Sequence, residues 1–529
     1  MYTADSARPQ AQAVAVRGER IVFVGSNREA AALRGDGTRV IDMAGKTVLP
    51  GLIDAHGHLG DLGTFLRSVD LFGTRSYEEV IERVARRAAQ LPAGSWVIGR
   101  GWDQNDWPDT RFPTHERLSA AVPAHPVLLE RVDGHAVLAN ARALRLAGIT
   151  RTTPDTAGGR IVRDARRNPT GVFIDNAMSL VERVVPEETP AEQLEGAQLA
   201  MRELNRLGLT SVHDAGTKCP TLRLYEQLAR SGELTVRNYA MIDGEVDECL
   251  KEMVALGPRL NVDGHHLMDV RAIKLSADGA LGSRGARLIA PYADDPNQSG
   301  LELIPPQRIR DVAVRALQRG FQLNVHAIGD GANRTVLDAF ESALGTVPKA
   351  DHRFRIEHAQ VLHADDIKRF AQLGVVPAMQ AVHQTSDMYW AETRLGPARI
   401  KGAYAWRSLL DTGVIIAGGS DFPVESPNPL YSFKAAVSRQ DAKGWPPGGW
   451  YSEQRMTRQE ALQHLTIWPA YASFREHLVG SITTGKLADL VVFSRDIMTI
   501  PVEEILDARV ELTIVGGKIV YETAPARTP

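Results

Sequence analysis

"VLPGLIDAHGHLG", residues 48–60, decides how this chain is read. An apolar run ends in two histidines spaced two apart. A strand turns successive side chains to opposite faces, so His56 and His58 point the same way. Gly57 between them leaves the backbone free to approach something closely. Two neutral imidazoles aimed at one point make half of a transition-metal site. Two surface histidines after a strand would look the same, so the rest of the chain must supply further ligands.

Downstream, short apolar strands alternate with amphipathic helices, the pattern of an α/β parallel sheet. After the first strand come "LTSVHDAG" (209–216), "VRNYAMID" (236–243), "VRAIKLSADG" (270–279), "FQLNVHAIGD" (321–330), "FRIEHAQV" (354–361), "VVPAMQAVH" (375–383) and "VIIAGGSDFPV" (414–424). Between them lie helical stretches such as "PQRIRDVAVRALQRG" (306–320) and "ADDIKRFAQLG" (364–374). Eight strands is the number that closes a (β/α)8 TIM barrel. A doubly wound open sheet is disfavoured, because no glycine-rich phosphate loop follows the first strand.

Both ends of the chain are β-rich. "AVAVRGERIVFVGSN" (13–27) alternates around a glycine turn, and "ADLVVFSRD" (488–496) with "ELTIVGGKIVYE" (511–522) does the same. They suggest a small composite β-sandwich from residues 1–50 and 476–529, beside a barrel over 51–475. About 150 residues separate the first two barrel strands, far more than one helix needs. We read an insertion at about 75–185, on the rim where such barrels carry their active-site loops.

At 529 residues the chain exceeds what one core usually serves. Lys and Arg number 61 against 64 Asp and Glu, which argues against nucleic acid or an anionic membrane as partner. A small-molecule substrate is expected instead, and a homo-oligomer is left open. The first residues carry no apolar stretch of signal-peptide type, and no apolar run approaches a membrane span. Only Cys219 and Cys249 occur, which is no disulfide framework and suits a reducing cytoplasm.

Polar groups at the C-terminal ends of barrel strands read as catalytic. Strand four offers Lys274, strand five His326, strand six His358 and strand eight Asp421. Together with His56 and His58 these six make a metal site of one or two divalent ions, zinc being suited to imidazole. Lysine is almost never fully buried unless paired. Lys274 either pairs with an acid such as Asp278 or takes up carbon dioxide to become a carbamate able to bridge two metals. Trp102, Asp103, Trp107 and His135 in the insertion, Ser283 and Arg284 after strand four, His213 and Asp214 ending strand two, and His383 ending strand seven are secondary candidates for substrate contact or for supporting the ligands.

The chain resembles the amidohydrolase superfamily, within it the amidohydrolase-3 branch that includes N-substituted formamide deformylase-like proteins. The resemblance runs nearly the whole length and rests on "GLIDAHGHL", "IKLSADGALGSRGA", "VHAIGD", "IEHAQ", "GSDFPV" and "GSITTGKLADLVVF". It implies His56 and His58 on one metal, carboxylated Lys274 as bridge, His326 and His358 on the second, and Asp421 as the catalytic carboxylate. The implied reaction is metal-assisted hydrolysis of a C–N bond in a small molecule. Relatives of this pattern begin with an extra strand before "MYTADSARP" (1–9), which leaves the edge of the small domain open. The rivals are a deaminase on the same barrel, for which the usual glutamate is replaced by Asp330, and a non-catalytic binding protein, which would lose metal ligands.

Overall fold

The computed structural model describes residues 1–131, 134, 136–156 and 159–523. Eight strands line up in chain order: Leu52–Gly57, Leu209–Thr217, Arg237–Asp243, Met268–Ser276, Gln322–Ala327, Arg355–His358, Val376–Gln380 and Ala417–Gly419. Each pairs in parallel with the next. Strand eight returns to strand one, where Asp421 N–H donates to His56 C=O at 2.7 Å and Ser420 N–H to the Asp54 carboxylate at 3.1 Å. The architecture is α/β, a TIM-barrel-like sheet with an additional β-sheet domain.

Helices cover the strands because their apolar residues recur on one face. In Pro306–Arg319, Ile309, Val312, Ala313, Ala316 and Leu317 are buried, the spacing of a single stripe. Proline at its start and Gly320 in the left-handed region at its end fix the helix limits.

Strands from both ends of the chain form a four-stranded antiparallel sheet, in the order Lys518–Glu522, Val510–Val515, Leu490–Phe493, Thr47–Pro50. The hairpin Ala13–Arg17 with Arg20–Gly25 packs Ile21 and Val24 against Val48, Leu490 and Val492. This sheet and the barrel share one compact unit, Met1–Leu59 with Met201–Pro529. Arg237, on barrel strand three, holds Asp489 beside strand Leu490–Phe493 through two hydrogen bonds of 2.6 and 2.9 Å, both side chains buried. Asp489→Ala leaves that guanidinium buried without a carboxylate and is expected to lower unfolding stability by roughly 3–5 kcal/mol. An unchanged urea midpoint would show that the pair contributes nothing.

Gly60–Ala200 forms a second compact unit, wider than the insertion read at 75–185. Its six-stranded sheet runs Val69–Asp70, Val97–Trp102, Val127–Arg131, Ala136–Ala139, Pro169–Asp175, Gly159–Arg163. Trp102 and Trp107 lie in its core, their indole N–H groups donating to Leu129 and Thr74 carbonyls. Asp103 pairs with Arg131 at 2.6 Å. His135 lies outside the described residues.

Cys219 and Cys249 are joined in a disulfide. Their helices, Cys219–Ser231 and Asp247–Leu256, follow the neighbouring strands two and three, which brings residues 30 apart together. The bond is at odds with the reducing compartment that two sparse cysteines suggested, since cytosolic thiols are kept reduced. Among the described residues no helix is long and apolar enough to cross a membrane.

Candidate metal centre

Strand one brings His56 and His58 to the barrel mouth, and strand eight meets them there. A Cβ on Gly57 would fall into the Phe422 ring, so the close approach expected at Gly57 is to the turn that carries Asp421. Gly419 faces the same constraint from the other strand, its Cβ position lying 2.7 Å from His56 N and Asp54 Oδ1. Asp421 itself has φ 63°, a left-handed backbone that swings its carboxylate back over strand one. His58 Nε2 lies 3.0 Å and His56 Nε2 3.5 Å from Asp421 Oδ1.

Strand six contributes through a second irregularity. His358, its last residue, has φ 71°. The twist breaks strict alternation, so His358 and its neighbour Glu357 both serve the centre. The His358 ring lies 4.8 Å from that of His56 and 4.5 Å from that of His326. Donor atoms of His56, His358 and Asp421 all fall within 4.8 Å of one another.

The imidazoles are oriented from behind. His56 Nδ1 makes a short hydrogen bond to Glu357 Oε2, and an ionised carboxylate can only accept, so Nδ1 carries the proton and Nε2 offers its lone pair. His358 Nδ1 donates in the same way to Gln380 Oε1 at 2.8 Å. Burial opposes a charge on Glu357, but Arg355 and His56 overcome it and hold its carboxyl below the usual range. Arg355 reaches Glu357 at 2.8 Å, the Ala55 carbonyl at 2.6 Å and His213 Nδ1 at 2.9 Å. His213 is thus a support for this array. Asp54 gathers His56 N–H and the Ser420 N–H and hydroxyl, its carboxyl pushed up to about 7 by burial.

Burial drives the histidines toward the neutral form, the form that binds metal. It acts on His56 and His358, and takes His326 down to about 3 with the Lys274 charge adding to the effect. Burial works against ionised Asp421 as well, yet the His58 hydrogen bond and the surrounding imidazoles hold its carboxyl well below the usual range. His326 Nε2 is buried with no hydrogen-bond partner, and lies 3.5 Å from Asp278 Oδ1. Neutral imidazoles crowded round a carboxylate, one with an orphaned ring nitrogen, fit a divalent cation.

Lys274 is buried, at 8% exposure, and burial lowers its pKa while the Glu357 and Asp421 charges oppose that. Asp278 is engaged elsewhere, accepting N–H bonds from Arg287, Ile328 and Gly329 at 2.8–2.9 Å. Arg284 is bound to Asp294 at 2.9 and 3.2 Å, and Ser283 to the Ala280 carbonyl. Asp214 accepts the Leu59 N–H at 2.7 Å and the Thr217 hydroxyl. His383 sits in the helix Ala381–Asp387 that follows strand seven, not on the strand, because strand pairing ends at Gln380. It nonetheless faces the centre, with Nε2 3.7 Å from Asp421 Oδ2. Glu357, Gln380, Asp54 and Ser420 are the site residues that sequence reading missed. The available signal was Glu357, set with Arg355 in the fully buried four-residue strand Arg355–His358.

Comparison with known proteins identifies the family. Residues 39–521 match the model of the family described as "Amidohydrolase family". Protein LONG AFTER FAR-RED 3 of Arabidopsis thaliana is 35% identical, over 98% of this chain and 90% of its own. N-substituted formamide deformylase of Arthrobacter pascens is 31% identical, over 98% of this chain and 96% of its own. The crystal structure of an uncharacterized metal-dependent hydrolase from Pyrococcus furiosus superposes with a TM-score of 0.77 at 30% identity, covering 92% of this chain and 95% of that one. Barrel, ligand cluster and likeness converge on one conclusion: the chain belongs to the amidohydrolase family.

Proposed function

We propose that this protein hydrolyses the C–N bond of a small-molecule amide, N-acyl or N-formyl compound, with one or two divalent ions, zinc by the donor set, and a carboxylated Lys274. The observation that carries the reading is the convergence of His56, His358 and Asp421 at the barrel mouth. A bound ion supplies a Lewis acid and lowers the pKa of water toward ~7. His56, His58, His326 and His358 would hold it; burial keeps His56, His326 and His358 neutral, whereas on His58 the bond to Asp421 outweighs burial and raises the pKa. Asp421 takes the proton of the attacking water and passes it to the departing nitrogen, without which an amide nitrogen leaves poorly. The formamide deformylase relative supports a C–N target. Counted from His326, the acid of a deaminase's HxxE falls on Gly329, and Asp330 beside it starts a helix and accepts the Ile289 N–H at 2.9 Å.

The test is a metal analysis followed by a panel of formamides, N-acyl amino acids, carbamates and cyclic amides. Full hydrolysis by a metal-free preparation overturns the reading. Lys274 is checked separately. Its Nζ and carbon dioxide form an N–C bond and release a proton, giving a carboxylate-like ligand. Lys274→Ala is expected to lower metal content and hydrolysis together, with formate or acetate restoring part of both. Lys274→Arg fails, because a guanidinium stays cationic and forms no carbamate. A Lys274→Ala protein with full metal and full activity would rule out the bridge.

A further inference from the structure

Asp421 shows its two oxygens to different neighbours. Oδ1 faces the ring nitrogens of His58 and His56 at 3.0 and 3.5 Å, whereas Oδ2 faces His383 Nε2 at 3.7 Å. That last separation is too long for a hydrogen bond. His383 Nε2 is buried and has no hydrogen-bond partner, a condition that native structures rarely leave unexplained. A third polar atom lying beside the gap can bond to both.

The side chain is firmly held. The His383 ring stacks on that of His358, with centroids 5.9 Å apart and planes at 15°. One helical turn later, on the same face, Asp387 accepts from Gln360 Nε2 at 2.7 Å and from the Tyr404 hydroxyl. Ser386 on the same helix bonds Glu425, four residues beyond Asp421. The helix is thus tied to the loop that carries the carboxylate, so the gap between Nε2 and Oδ2 has a set width.

We propose that His383 Nε2 and Asp421 Oδ2 together grip the departing nitrogen of the substrate, and that His383 thereby selects amides that keep an N–H. The assignment rests on the C–N hydrolase reading above. Attack on the carbonyl makes its carbon tetrahedral and localises the nitrogen lone pair. Asp421, now carrying the proton from water, delivers it from Oδ2 to that lone pair. The existing N–H of the same nitrogen donates to His383 Nε2. The C–N electrons leave with nitrogen, the amine departs, and His383 ends with the protons it began with. As positive charge grows on nitrogen its N–H becomes a stronger donor, so the contact strengthens toward the transition state and acts on kcat more than on KM.

The experiment compares metal-loaded wild type, His383→Leu and His383→Gln on acetanilide, N-methylacetanilide and 4-nitrophenyl acetate. Acetanilide has the N–H, its N-methyl analogue lacks it, and the ester needs no proton to release its leaving group. His383→Leu is expected to lose about 10²-fold in kcat on acetanilide, the scale of one transition-state hydrogen bond, and only a few-fold on the other two. His383→Gln keeps an acceptor at that reach and recovers most of the loss. Metal content, read by mass spectrometry, stays at the wild-type level in both variants. Equal losses on all three substrates, or loss of metal in His383→Leu, overturn the assignment. If another amide of the panel above is split instead, that amide and its N-methyl analogue take the place of the anilides; a metal-loaded wild type that splits none of them overturns the C–N reading itself, and the assignment falls with it.

Discussion

Replacing His56 and His58 together with alanine is expected to strip the protein of metal and of hydrolytic activity at once. Both ring nitrogens lie within 3.5 Å of Asp421 Oδ1, so the double change removes every imidazole that strand one brings to the centre. Loss of a partner that merely orients a ligand weakens metal binding by ~10–100-fold, and loss of two ligands goes beyond that. The fold is expected to survive, because Arg355 stays bonded to Glu357 at 2.8 Å after the His56 ring is gone. Metal analysis and circular dichroism on the same sample separate the two effects. Hydrolysis persisting in the metal-free double variant would remove the basis for a metal mechanism.

Asp421→Asn is expected to lose ~10²–10⁴-fold in kcat, the range for removal of a general acid–base group. Asparagine is the suitable change because it tolerates the left-handed backbone at φ 63°, where alanine is strained. The backbone N–H still donates to the His56 carbonyl at 2.7 Å, so strand eight keeps its closure on strand one. The amide can hold a water by hydrogen bonds but cannot carry its proton away. Metal content falls less than kcat, since the imidazoles remain. If kcat stayed near wild type and only KM rose, Asp421 would be a binding residue.

The barrel was legible because its strands are buried on both faces and end in polar residues, which marks runs such as Leu52–Gly57 and Gln322–Ala327 plainly. His56, His58, Asp421, His326 and His358 could be picked out for the same reason. Glu357 was passed over because period-two reasoning allows one inward residue at a strand end, and the positive φ of His358 lets two neighbours serve one site. His383 was placed on a strand because "VVPAMQAVH" reads as a continuous apolar run, and nothing local marks the change to helix after Gln380. Gln380 acts through His358, and Asp54 through Ser420 as well as through His56 on its own strand; the cross-strand partners are what no local pattern can supply. The same holds for Cys219 and Cys249, whose meeting depends on two strands being adjacent.

Closure of strand eight on strand one sets the order of events during synthesis. Asp54 and Ser420 bond across 366 positions of chain, and Thr47–Pro50 pairs with Leu490–Phe493 farther along still. Contacts of such range form slowly, and domains generally mature only as their segments emerge from the ribosome. His56 therefore leaves the exit tunnel long before the residue that completes its site. Throughout that interval strand one presents an unpaired edge, rich in Leu, Ile and Ala, beside a pair of exposed imidazoles. A nascent chain in this state exposes an edge open to pairing with other chains, and an early-bound ion would hold a half-built centre that has no carboxylate to work with.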